Sequence, residues 1–126
     1  MRMGDYFENA KGLGVLATAD PEGKVDVAVF SRPHVMDEDT LGFIMRDRLT
    51  HRNLQSNPHA AYLFKEAGEQ YVGKRLFLTK IREEKDTDLA YKLRRRKYPD
   101  DKKEALFLVF FRIDQVLPLI GPRKGE

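Results

Sequence analysis

"LGVLATADPEGKVDVAVF", residues 13 to 30, is the stretch that decides the fold. Leu13 to Ala19 is a run of small and branched side chains with the look of a buried strand, and Asp20-Pro21-Glu22-Gly23 puts proline at the second position of a turn. Beyond the turn, Val25, Val27 and Val29 alternate with Asp26, Ala28 and Phe30, the period of a strand whose two faces differ. Two such runs joined by a short turn make an antiparallel hairpin. The second run reads on as one segment, "KVDVAVFSRPHVM" (24–36), until Pro33, which has no amide hydrogen to give a ladder and argues for an edge or a bulge there.

Working outward, Asp5 can cap a short N-terminal helix with Tyr6, Phe7 and Ala10 facing inward and Gly12 as its stop. Downstream, "DEDT" (37–40) turns the chain into the strand "LGFIM" (41–45), and Leu49 to Asn57 spaces Leu49, Arg52, Asn53 and Ser56 as a short helix ended by Asn57-Pro58. "AAYLFK" (60–65) and "YVGKRLFLTKIREE" (71–84) read as strands around the polar "EAGEQ". "KDTDLAYKLRRRKYPDD" (85–101) has the charges of a longer helix, acidic at its start and basic at its end. "ALFLVFFRIDQVLPLIG" (105–121) closes the chain as a strand so apolar that Phe107, Phe110 and Phe111 require cover on both faces, one from the core and one from another element or subunit. Six strands with short helices between them predict an α+β class with a mostly antiparallel, closed sheet.

Composition sets the outer bounds. The 126 residues fit one domain, 1–126; with 41% hydrophobic and 34% charged residues the chain is neither disordered nor membrane-like. The N-terminal "MRMGDYFENAKG" lacks the apolar run of a signal peptide, so a cytoplasmic protein is expected. Cysteine is absent, which removes disulfides, thiolate metal sites and cysteine nucleophiles, and any redox chemistry must come from a bound cofactor. His34, His51 and His59 lack metal-ligand spacing, so no metal site is expected.

The positive charge gathers in "RDRLTHRN" (46–53), where a strand hands over to a helix. The first amides of a helix have no partner within it and sit at the positive end of its dipole, so a helix start with Thr50 beside it and Arg46 and Arg48 arriving from the strand suits an anion. Arginine's planar fork suits phosphate in particular. The same residues would also serve as a solvated charged turn. Upstream, "VAVFSRP" (27–33) offers small and apolar side chains plus Ser31, a surface on which a flat ring could lie, unless Val27, Val29 and Phe30 are simply core. Phosphate at one end and a planar ring along a strand would describe flavin mononucleotide, FMN.

The hairpin with its "PEG" turn, the strand ending in a polar and basic segment, and the closing "NLQSNPHAAY" together resemble the pyridoxamine 5′-phosphate oxidase-like, split β-barrel FMN-binding proteins, over nearly the whole chain. The resemblance implies a six-stranded split β-barrel with flanking short helices, and a homodimer with FMN at its interface. It implies that the segment Arg46, Asp47, Arg48, Leu49 and Thr50 holds the phosphate, with Arg46, Arg48 and Thr50 as ligands, that Met45 is cofactor-binding beside it, and that Ala28, Val29, Phe30 and Ser31 neighbour the ring. Many relatives carry lysine where this sequence has Thr50. Pyridoxamine phosphate oxidation itself is not expected, because "GPRKGE" at the C-terminus offers no histidine for a second phosphate site. A small oxidoreductase or electron-transfer protein of unknown redox partner is the expectation. Its rivals are a nucleic-acid-binding small barrel using "KLRRRK" (92–97), which reads more readily as a solvated helix end, and a split-barrel dimer for a deazaflavin or haem.

Overall fold

A computed structural model describes residues 3–94 and 104–121. In chain order the elements are α1 (Met3–Asn9), β1 (Gly12–Ala19), β2 (Val25–Phe30), β3 (His34–Asp37), β4 (Thr40–Arg46), α2 (Leu49–Ser56), β5 (His59–Glu66), β6 (Gly73–Lys85), α3 (Asp88–Leu93) and β7 (Leu106–Pro118). The strands form one antiparallel sheet in the order β2-β1-β5-β6-β7-β4-β3. The sheet therefore has seven strands where six were expected, because Ser31, Arg32 and Pro33 divide the segment read as one strand into β2 and β3.

That division shapes the molecule. β2 and β3 are the two edges of the sheet, yet only three residues separate them. A sheet whose far edges are joined so briefly must curl until those edges come close, and Phe30 of β2 does meet Phe43 of β4 edge-on at 6.0 Å between ring centroids. No ladder closes the sheet across this gap among the described strands, so the barrel is split and not closed. Arg32 fixes the crossing by donating through Nη1 to the carbonyl oxygens of Phe7 (2.8 Å), Glu8 (3.1 Å) and Ala10 (3.0 Å), the end of α1. The helix therefore ends at Asn9, and Gly12 opens β1 instead of stopping the helix.

Inside the curl, Leu16, Phe43, Tyr62, Phe64, Leu76, Leu78, Val109 and Phe111 form the core, with Phe43 against Tyr62 at 5.0 Å and Phe111 at 5.6 Å. β7 is covered on both faces within the chain. Phe107, Val109 and Phe111 enter the main core, while Leu106, Leu108 and Phe110 pack with Ala90 of α3 and with Met36, Ile44, Tyr91 and Leu93. The Arg82 guanidinium closes over the Phe110 ring at 3.8 Å. Leu106 to Phe111 are buried throughout, so this stretch needs no partner subunit to cover it. α3 is six residues long, shorter than the 85–101 expected; the remainder of that reading, from Arg95 onward, lies outside the described residues.

The outer face of the other half is bare. Val25, Val27 and Val29 are 75%, 66% and 66% exposed, so the valine face of β2 is not core. In register beside them lie Val15 and Ala17 of β1, Leu63 and Ala61 of β5, and Phe77 of β6, an apolar strip across four strands. No helix among the described residues is long and apolar enough to cross a membrane.

Candidate functional site

The gap between the sheet edges holds a cleft of about 360 Å³. One wall is the end of β2 and the crossing: Ala28, Val29, Phe30, Ser31, Arg32 and His34. β4 supplies Phe43, Ile44, Met45 and Arg46, and the far end is built by Arg48, Thr50, Arg94 and Leu106. The cleft thus runs from small and apolar side chains on two strands to a cluster of arginines at the start of α2.

The start of α2 is chemically unusual. Its N-cap is Arg48, extended at φ −116° and ψ −171°, with no side-chain hydrogen bond to the helix amides and no acidic residue in the first turn. Helices ordinarily begin on an oxygen acceptor, and a cation there opposes the dipole. An arginine in that place is favourable when an anion sits between it and the amides. Thr50 is buried in the first turn and faces the cleft, while Arg46 approaches from the last residue of β4.

Behind the helix start lies a second polar cluster. His51 is buried and its ring stacks on Phe107 at 3.8 Å between centroids. Its Nδ1 meets the Asp47 carboxylate at 2.9 Å and its Nε2 lies 3.1 Å from Glu83 of β6, which also receives Lys80 at 2.6 Å and Gln55 at 3.0 Å. Burial raises the Glu83 carboxyl, but hydrogen bonds from Lys80, Gln55 and His51 outweigh it and hold the pKa down at about 2. The hydrogen bond to His51 likewise lowers Asp47. Asn53, also buried, donates to Thr18 of β1 at 3.1 Å. These contacts pin α2 to the sheet and set the direction in which its first amides point.

Of the residues singled out in the sequence, Ala28, Val29, Phe30, Ser31, Met45, Arg46, Arg48 and Thr50 come together around the cleft. Asp47 and Leu49 do not line it: Asp47 turns to His51, and Leu49 is 53% exposed. Sequence reasoning missed Arg32, His34, Phe43, Ile44, Arg94 and Leu106. Arg94 is the informative omission, because the basic run was read as a wholly solvated helix end and its first arginine instead lines the cleft.

No protein-family profile matches the chain, and no curated protein resembles it closely in sequence. Solved structures do match in shape. An FMN-binding protein from Syntrophomonas wolfei superposes with a TM-score of 0.77 at 18% identity, covering 95% of this chain and 85% of that one. An F420 reductase superposes with a TM-score of 0.70 at 20% identity, covering 90% and 94%. A candidate pyridoxamine 5′-phosphate oxidase from Lactobacillus delbrueckii gives 0.63 at 24% identity, covering 90% and 88%. The chain has the split-barrel fold of the pyridoxamine 5′-phosphate oxidase-like proteins.

Proposed function

We propose that this protein binds FMN and works as a small oxidoreductase or electron-transfer protein. The observation that carries the reading is a helix that begins on an uncapped arginine and opens into a cleft walled by strand. Arg46, Arg48, Thr50 and the first amides of α2 would hold the phosphate; Ala28, Val29, Phe30 and Ser31 would line the ring. The donors suit a phosphate because they are charged, convergent and fixed from behind by the His51 and Asn53 contacts. When bound, the flavin supplies the electron or hydride chemistry. The chain's own part is to orient it: the arginines set one end, and the small side chains of Ala28 and Ser31 leave room along the strand. The FMN-binding neighbour of the same fold supports this reading. A deazaflavin is the second reading, favoured by the likeness to the F420 reductase.

The functional unit we propose is a homodimer formed through the apolar strip of β2, β1, β5 and β6. Val29 belongs both to that strip and to the lining of the cleft, so a second copy seated there would extend the cleft wall.

Titration of FMN and riboflavin against the wild type, Arg46→Ala and Arg48→Ala, followed by flavin fluorescence, tests the site. A charge-assisted bond worth about 1.5–3 kcal/mol corresponds to a loss of roughly ten- to a hundredfold in FMN affinity. Riboflavin should bind poorly to all three proteins and respond little to either change. Equal affinities for the two ligands, unaltered by the substitutions, would sink the phosphate assignment.

A further inference from the structure

One residue reaches across the arginine cluster. The Glu104 carboxylate accepts from Nη2 of Arg48 through both oxygens, at 3.0 and 2.8 Å, and its main-chain carbonyl accepts from Nη1 of Arg46 at 2.7 Å. Both arginines assigned to the phosphate are therefore engaged by the same residue, in two different ways. The carbonyl contact is neutral and belongs to the approach to β7, which is itself anchored where Leu106 N donates to Asp86 Oδ1 at 2.8 Å. It can persist beside a ligand, because a guanidinium has five N–H donors. The carboxylate contact cannot be so indifferent. It is an anion on the arginine that forms the N-cap of α2, and the pair is open to water, with the two side chains 65% and 49% exposed. Exposed pairs of this kind contribute little and exchange partners readily.

Resting on the phosphate reading above, we propose that Glu104 is an internal competitor for the anion site. Its carboxylate neutralises Arg48 when no ligand is present, and it leaves Nη2 when a phosphate arrives. The step exchanges one hydrogen-bond acceptor for another, and no covalent bond changes. Every anionic ligand is weakened by this displacement, whereas a neutral one is not, so Glu104 sets the ratio of FMN to riboflavin affinity. Removing the carboxylate also raises the positive potential of a cleft that Arg46, Arg48 and Arg94 line together.

Glu104→Gln keeps the shape and removes the charge. FMN should bind this variant about two- to fivefold more tightly than the wild type, the range expected when an exposed ion pair no longer competes. Riboflavin affinity should not change, and inorganic phosphate should raise the thermal midpoint of the variant more than that of the wild type. In an Arg48→Gln background the same substitution should bring a clearly smaller gain, since the direct competition runs through Arg48 and only the change in potential remains. FMN binding to the wild type with equal or weaker binding to Glu104→Gln would overturn the competitor role and leave the cofactor reading intact. Failure of both proteins to bind FMN would remove the cofactor reading, and the phosphate titration would then decide: a larger response in the variant supports the competitor, and equal or absent responses overturn it.

Discussion

A Cβ on Gly14 would clash with the Tyr62 hydroxyl and lie 2.7 Å from the Phe30 carbonyl oxygen, a backbone atom that no side-chain adjustment can clear. The Tyr62 hydroxyl donates to the Ser31 carbonyl at 3.3 Å, so this one glycine makes room for the contact that holds the crossing. Gly14→Ala should destabilise by about 1–3 kcal/mol, as overpacked cores do, and lower the denaturant midpoint. A midpoint equal to the wild type would show that the strand pair at Gly14 and Phe30 can yield at no cost. Glu83 makes a prediction in pH. Its carboxyl is lowered from 4.5 to about 2 in the folded chain, so its contribution to stability is complete above pH 4.5 and is lost as the pH falls toward 2. The margin in thermal stability of the wild type over Glu83→Gln should therefore be full at neutral pH, shrink across that window and vanish below it. A margin independent of pH would contradict the lowered value. At this scale the sequence was legible where neighbours in the chain are neighbours in the site: Arg46, Arg48 and Thr50 sit within five positions and share one cleft. Glu104 and Arg94 were not, because only the long-range pairing of β4 with β7, which sets Arg46 opposite Leu106, brings the end of β4 beside the start of β7 and the end of α3.

Among the elements, α3 shows how short a helix can be and still matter. Thr87 caps the helix by accepting from Ala90 N at 3.2 Å, and its hydroxyl donates to Glu84 of β6 at 2.9 Å, which ties the cap to the sheet. Its fully buried Ala90 packs in the cluster that covers Leu106, Leu108 and Phe110. Thr87→Ala should cost about 1 kcal/mol, seen as a lower unfolding midpoint, and Thr87→Ser should recover most of it. If the alanine variant unfolds like the wild type, the cap contributes nothing to the cover of β7. The sequence announced that β7 needs cover on both faces but could not say from where, since a helix and a partner subunit satisfy the same apolar pattern. It also ran β2 and β3 together, because Ser31 to Pro33 preserve the local look of an extended chain while the strands on either side join opposite edges.

For the whole molecule, the proposed dimer rests on Val25, Val27 and Val29, which together with Leu63 and Phe77 leave an apolar strip facing water in the isolated chain. Val27→Asp on one copy would face the same change on the other in a two-fold interface, so sedimentation should show a wild-type dimer at micromolar concentration and a folded monomer for the variant. A wild-type monomer would remove the dimer. The alternation of valines was readable from the sequence, but which face pointed inward was not, because Ala28 and Phe30 are as apolar as their neighbours. The three residues between the sheet edges have one more effect. Four virtual bonds from Phe30 to His34 reach about 14 Å at full stretch, and hydrogen bonds from Arg32 and to Ser31 from Tyr62 tie this stretch to the rest of the chain. Where this connection joins them, the two edges can consequently part only as far as three residues allow. The arginine end of the cleft stays open to water, with the Arg48 side chain 65% exposed, so an anion can reach it without any parting of the two edges.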